Sequence, residues 1–484
     1  MQDSNLIKTE SEKKMTPEEI RGLTYTKKSA YERKRGENYL SDIGAYAEGY
    51  MRFLDEAKTE REAVREAVRL AEAAGWKKYT FGDRIETGGK YYYNNRGKNL
   101  FLFAVGSRPL TEGIRISAAH IDSPRVDLKP VPLYEDGGMC LLKTHYYGGI
   151  RKYQWTATPL ALRGRISRKD GTSVDIRIGE DGSGDPVFYI NDLLPHLAHK
   201  DDSRPLAEAV PGEKLNLLAG SRPIPGESDG IKLNVLGILN EKYGITEEDF
   251  LSAELCAVPS GKARDAGLDR SMICGYGHDD KVCAYPALTA VFDAADSSGH
   301  TLMCILADKE ETGSEGTTGM QCDIMLDLID GICASRGASP AAVRAASKCL
   351  SADVSAAYDP NFSDVFEKRN TPMLSCGVVL TKYTGARGKS STNDAPAEYV
   401  GWLRGAMDDG DVVWQTGELG KVDAGGGGTV AKYIAKHNIE TVDLGVPVIS
   451  MHAPYEMISK ADLYETMLAF RAFNVYDGPA PAEE

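Results

Sequence analysis

Apolar residues recur at three- and four-residue spacing from about Ser41 to Ala74: Ala45, Ala47, Tyr50, Met51 and Leu54, then Val64, Ala67, Val68, Leu70 and Ala71. That period predicts two consecutive helices. Thr59 with Glu62 three residues on predicts a capping box for the second helix, and Gly75 ends it. KYYYNNRGKNLFLFAVG then reads as a β-hairpin turning at Asn-Asn-Arg-Gly. GIRISAAHIDSP reads as a buried strand that stops at His120. From about 125 to 262 the pattern changes. Short β-like runs (WTATPLALRGRISR, SVDIRIGE) alternate with turn clusters (RKDGTS, GEDGSGD), which predicts a mainly β insertion with a few short helices. After it an α/β rhythm resumes, with helices over KVCAYPALTAVFDAA, TGMQCDIMLDLIDGI, APAEYVGWLRGAM, GTVAKYIAKH and SKADLYETMLAFRAF. Strands fall on HTLMCILADKEETG, CLSADVSAA, SCGVVLTKY and VPVISMHAP. Residues 1–18 are polar and charged and are expected to be mobile.

Composition narrows the function classes. The chain has 484 residues, 57 basic and 71 acidic, a formal net charge of −14. That balance argues against nucleic acid as partner, because phosphate binding needs basic surface. No apolar run approaches the ~18 residues of a membrane span, and the start has no apolar signal region. Nine cysteines without C-x-x-C spacing, most in apolar segments, fit reduced, buried thiols in a cytoplasmic protein better than a disulfide framework.

The candidate chemistry lies at element ends. His120 and Asp122 end one strand, Glu310 and Glu311 another; Asp353 ends a third and His452 a fourth, and Gly-His-Asp-Asp at 277–280 precedes a helix. In open α/β sheets ligands bind at the carboxyl ends of the strands, so these positions are expected to converge. Two histidines and several carboxylates suit Zn²⁺ or a similar divalent ion. Asp122 is placed to accept the second ring N–H of His120 and fix its aim. The neighbouring Glu310 and Glu311 are expected to point to different sides, one to metal and one to the reacting water. The charge of three carboxylates (Asp279, Glu311, Asp353) is nearly balanced by two Zn²⁺, with room for one hydroxide, which favours a dinuclear site. Singly, each feature has an ordinary explanation: a satisfied strand-end histidine, a solvated Glu-Glu pair, an aspartate N-cap. Together, in this order, they point to metal.

The ordered set AAHIDSPR, GHDDKVCAY, DKEETGSEG, SADVSAAYDP and SMHAPYEM resembles the aspartyl aminopeptidase / aminopeptidase I family of zinc metallopeptidases over roughly residues 35–475. The resemblance implies a co-catalytic di-zinc exopeptidase that releases N-terminal residues from peptides; Co²⁺ or Mn²⁺ could occupy similar mixed nitrogen and oxygen sites. It implies a mixed-sheet α/β catalytic domain with helices on both faces, here 19–124 and 263–484, interrupted by a β-rich dimerisation domain at 125–262. Carried over, it puts His120 and Asp353 on one zinc, Glu311 and His452 on the other, and Asp279 between them. Glu310 takes the general-base position, and Asp122, which orients His120, counts with it among the catalytic residues; Asp280 lies behind the ligands and His278 receives no role. A large dodecamer built from dimers is also implied, with no role for nucleic acid or membrane.

Two segments are expected to shape the substrate pocket. The Gly-rich run DAGGGGTVAKY, including Gly426 and Gly427, lacks a P-loop ending and resembles a family loop beside the substrate. TKYTGARGKSSTND carries Lys382, Arg387, Lys389 and Asn393, where a basic residue would meet an acidic substrate side chain in aspartate-preferring members; a solvated basic loop is the plain alternative. The resemblance implies that a histidine of the inserted domain reaches a neighbouring subunit's site, with His199, or its neighbour His196, expected to match it; a plain surface histidine is the alternative. Rival readings are a broad or neutral-residue aminopeptidase, a related di-zinc deacylase or carboxypeptidase, and a non-catalytic scaffold.

Overall fold

A computed structural model describes residues 15–33, 37–180, 184–200 and 202–479. Most of the stretch expected to be mobile, 1–14, lies outside the described residues. Pro17, however, opens a short helix, Pro17–Gly22, whose cap Thr16 accepts the Glu19 N–H while the Glu19 carboxylate accepts that of Thr16.

The long apolar runs form the centre of a nine-stranded sheet. Thr301–Ala307, Ile114–His120, Lys348–Ala352 and Glu440–Gly445 lie side by side and parallel. Both faces of these strands are covered, which is why their residues are almost continuously apolar. Leu302, Cys304 and Leu306 face a core shared with helices Tyr39–Glu56, His278–Ala294 and Lys460–Val475. Met303, Ile305 and Ala307 face a second core shared with helix Ile324–Arg336. The hairpin Lys90–Asn95/Asn99–Ala104 extends one edge, antiparallel to Thr301–Ala307. Val378–Thr381 joins the other side antiparallel, followed by Trp414–Thr416. The architecture is therefore mixed α/β with helices on both faces.

Residues 125–259 supply a separate seven-stranded sheet. Ala253–Pro259 pairs with both Arg125–Asp136 and Pro159–Ser167, closing the sheet on itself around Trp155, Leu160, Leu162 and Leu217. Its helix Gly230–Tyr243 is longer than the short helices expected there. A third sheet of five short strands was not expected at all. It orders Arg264–Ala266, Met272–Gly275, Glu456–Ser459, Pro447–Ile449 and Ser355–Ala356.

The capping box at Thr59 is only half formed. Thr59 accepts the Glu62 N–H at 3.2 Å. The Glu62 carboxylate turns away to the fully buried Arg163 of the closed sheet at 2.8 Å, because a buried guanidinium left without a carboxylate costs more than an unmade bond to the neutral cap N–H. This ion pair joins the first helices to the closed sheet.

Candidate metal centre

The parallel register makes the site. Ala307 lies level with His120 and Ser351 with Ala118, so Asp353 arrives level with His120. Glu310 and Glu311 do not end the strand itself. They sit in a 3-10 turn, Glu310–Thr312, entered through Lys309 at φ 68°. The small sheet brings the other two: Asp279 follows Met272–Gly275 at the start of helix His278–Ala294, and His452 lies at φ 65° in the turn between Pro447–Ile449 and Glu456–Ser459. The Asp279–Asp280 peptide is cis.

The side chains converge. His120 Nε2 lies 3.1 Å from Asp279 Oδ1 and 3.8 Å from Asp353 Oδ1. His452 Nε2 lies 3.2 Å from Asp279 Oδ2 and 3.5 Å from Glu311 Oε1. Asp279 thus stands between the two histidines. Donor atoms of His120, Glu310 and Asp353 lie within 4.8 Å of one another, as do those of His120, Asp279 and Glu311, and of Asp279, Asp280 and Asp353.

Asp122 organises this cluster. It lies 3.3 Å from His120 Nδ1 through Oδ1, while its own carbonyl oxygen shares that nitrogen at 3.1 Å. The same carboxylate accepts the backbone N–H groups of Glu310 at 3.1 Å and Glu311 at 3.2 Å, fixing the turn that separates the two glutamates. Glu456, whose role sequence reading missed, does likewise on the far side, accepting the N–H groups of Asp279 at 3.0 Å and His452 at 2.8 Å. Its only sequence signal is a spacing of four from His452 across a turn. Lys281, also missed, is fully buried and donates to Ser123 Oγ at 2.6 Å beneath the cluster.

The electrostatics show a surplus of buried negative charge. Burial, then Asp353, pushes the Glu310 carboxyl up to about 8. Burial also raises Glu311, Asp280 and Asp353, and each is raised further by Asp279. Burial alone would lower His452, but Asp279 and Glu311 outweigh it and hold the ring up at about 10. His120 is likewise raised by Asp122, Asp279 and Asp353 against its burial. Asp279 moves the other way, because both imidazoles offset its burial. Buried oxygens Asp279 Oδ1, Asp280 Oδ1 and Glu311 Oε1 have no hydrogen-bond partner among the described residues. A cation answers both the charge and the vacant lone pairs, and mixed imidazole and carboxylate donors suit zinc.

The remaining candidates fall elsewhere. His278 is buried and bonded to Tyr50 through Nδ1 at 2.7 Å, and burial pulls it down to about 3, so it stays neutral outside the cluster. His196 and His199 are exposed on the turn Pro195–Lys200. Lys382 and Lys389 both pair with Asp394, at 2.5 and 3.0 Å, while Arg387 is exposed. Asn393 donates to the Thr441 carbonyl. Gly426, at φ 111°, packs so closely on this basic loop that a Cβ would come 2.5 Å from Ala386 Cα; at Gly427 it would meet only Leu419, at 3.6 Å. The Gly426 approach explains a glycine without a phosphate.

A family model of the aminopeptidase I zinc metalloproteases, M18, matches residues 53–474. A probable M18 family aminopeptidase 1 of Clostridium acetobutylicum is 47% identical over 450 residues, 91% of this chain and 96% of that protein. The corresponding Thermotoga maritima protein is 45% identical over 89% of this chain and 96% of its own length. The crystal structure of an M18 aminopeptidase from Thermotoga maritima superposes with a TM-score of 0.89 at 42% identity, covering 93% of this chain and 100% of that one. Aminopeptidase I of Clostridium acetobutylicum gives 0.87 at 44% identity, covering 94% and 100%. The chain therefore belongs to the aminopeptidase I family of zinc metalloproteases, M18.

Proposed function

We propose that the chain releases N-terminal residues from peptides with two zinc ions per subunit. His120 and Asp353 would hold one, Glu311 and His452 the other, and Asp279 both. The observation that supports this most is Asp279, whose two oxygens face one histidine each, at 3.1 and 3.2 Å. Bound zinc would supply Lewis-acid polarisation of the scissile carbonyl and stabilise charge that develops on its oxygen.

Glu310 is the proton carrier in this reading. Its carboxylate takes a proton from the attacking water and delivers it to the leaving amine nitrogen. Asp122 fixes the Glu310 backbone, so the carboxylate is presented without a search through rotations of the turn. A cation beside Glu310 opposes the burial that raises it, keeping it ionised as a base must be. A second reading has a specific observation behind it: Glu310 also groups with His120 and Asp353, as a ligand would.

The basic loop bears on specificity. Asp394 engages both Lys382 and Lys389, which weakens their field toward a substrate carboxylate. This favours a broad or neutral-residue aminopeptidase over an acidic preference. Self-association is part of the proposal. Residues 125–262 would serve as the dimerisation domain inserted in the catalytic one, and they expose Val187, Leu193, Leu194 and Leu197. A yeast structure of the same fold, 20% identical with a TM-score of 0.74, is described as a dodecamer.

Four outcomes follow. Glu310→Gln should keep its zinc and lose roughly 10²–10⁴-fold in kcat, whereas Glu311→Gln should lose metal; zinc loss in Glu310→Gln instead would make Glu310 a ligand. Across aminoacyl-p-nitroanilides of Asp, Glu, Leu, Lys and Met, Leu and Met should be cleaved at least as well as Asp; an Asp- or Glu-led profile would restore acidic specificity, and turnover of N-acyl amino acids alone would sink the aminopeptidase reading. Light scattering should give a mass well above the 52.6 kDa of one chain, and a monomer would contradict the assembly. The metal-free chain should lose thermal stability as pH rises from about 5 to 9. Glu310 and His452 hold protons more tightly folded than unfolded, so their contribution is present at low pH and lost on passing through about 8 and about 10. Zinc should reverse the trend, because its ligands must be deprotonated. Scanning calorimetry of both forms tests this, and a metal-free Tm that climbs with pH would refute it.

A further inference from the structure

One wall of the cluster belongs to the closed sheet of residues 125–259. Strand Met139–Tyr147 ends against the site, and three consecutive residues touch it. The Tyr147 hydroxyl donates to Asp122 Oδ2 at 2.8 Å. Gly148, at φ 73°, lies under Glu311, where a Cβ would come 3.2 Å from Glu311 Oε2 and 3.4 Å from Pro124 Cα. The Gly149 carbonyl accepts from His452 Nδ1 at 2.7 Å. The tyrosine is itself clamped: the Arg125 guanidinium lies 4.2 Å over its ring and is held by Glu60 at 2.9 Å and Asp127 at 2.8 Å.

We propose that Tyr147–Gly149 is a positioning segment through which the closed sheet sets the aim, and hence the zinc affinity, of the donor atoms on the nine-stranded and five-stranded sheets. The inference rests on the zinc reading above. Asp122 Oδ2 accepts from two sources, the Glu311 N–H and the Tyr147 hydroxyl. The phenol cannot become a competing anion, since burial and Asp122 both push it far above its ordinary value. That donor adds a second bond at Oδ2 from outside the turn, and Asp122 in its turn holds His120, Glu310 and Glu311. On the other side, Nδ1 of His452 faces a carbonyl and must carry its proton. Nε2, which faces Asp279 and Glu311, is therefore the nitrogen that gives up its proton when zinc binds. Gly148 allows the backbone to run this close, because any side chain there would press on Glu311 and require the same positive φ. Tyr147 touches no reacting atom; it acts through Asp122.

Tyr147→Phe removes one oxygen and leaves the ring beneath Arg125. Zinc dissociation constants from chelator competition, kcat and KM at saturating zinc, and Tm of the full chain are compared with the parent. The expected result is about 10–100-fold weaker binding of zinc, with kcat lowered, KM unchanged and Tm little moved. Gly148→Ala should also weaken zinc, by displacing Glu311. Parent-like zinc affinity in Tyr147→Phe overturns the inference, whether Tm is kept or falls, since a packing role alone would move only Tm. A parent chain that binds no zinc would instead overturn the metal reading on which the inference stands.

Discussion

Carboxylates crowded out of water repel one another, and this molecule gathers the buried Asp122, Asp279, Asp280 and Glu456 and the half-buried Glu310, Glu311 and Asp353 around two histidines and one buried lysine. In a low-dielectric site that repulsion can be met by protonation or by cations. Without metal the chain relies on protonation, which is why Glu310 and Glu456 are both held near 8 and the imidazoles are held charged. Bound cations would relieve the same conflict by opposite charge. The rest of the site is a means of keeping these groups from moving apart.

Backbone amides do much of that holding. Asp122 grips the turn of Glu310 and Glu311, and Glu456 grips Asp279 and His452, so two buried acids each tie down a pair of functional residues. Charge-assisted bonds to N–H groups are stronger than neutral ones. The backbone N–H groups also occupy oxygens of Asp122 and Glu456, so those two compete less for metal. The geometry draws on three sheets at once: parallel strands supply His120, the Glu310–Glu311 turn and Asp353, the small sheet supplies Asp279 and His452, and the closed sheet supplies Tyr147 and the Gly149 carbonyl.

Much of this was legible in the chain. Continuous apolar runs such as TLMCILA mark strands covered on both faces, and the chemistry begins where those runs stop. That was enough to collect His120, Glu310, Glu311, Asp353 and His452, while Asp279 was marked by its place before a helix and by the family resemblance. The five-stranded sheet was not legible, because strands such as Ser355–Ala356 and Arg264–Ala266 are too short to show a period. Glu456 and Lys281 looked like ordinary charges, since their burial depends on elements distant in sequence. Glu62 matched a capping pattern, but the tertiary pull of Arg163 redirected its side chain. Asp394 had no local sign that it would neutralise two lysines of its own loop.

The most direct test of the central claim is the metal content of the purified chain, counted per subunit by native mass spectrometry after zinc loading. The account predicts two zinc ions per chain, and fewer than two once Asp279, which faces both histidines, is changed to alanine. A fully active chain that carries one ion or none would contradict it.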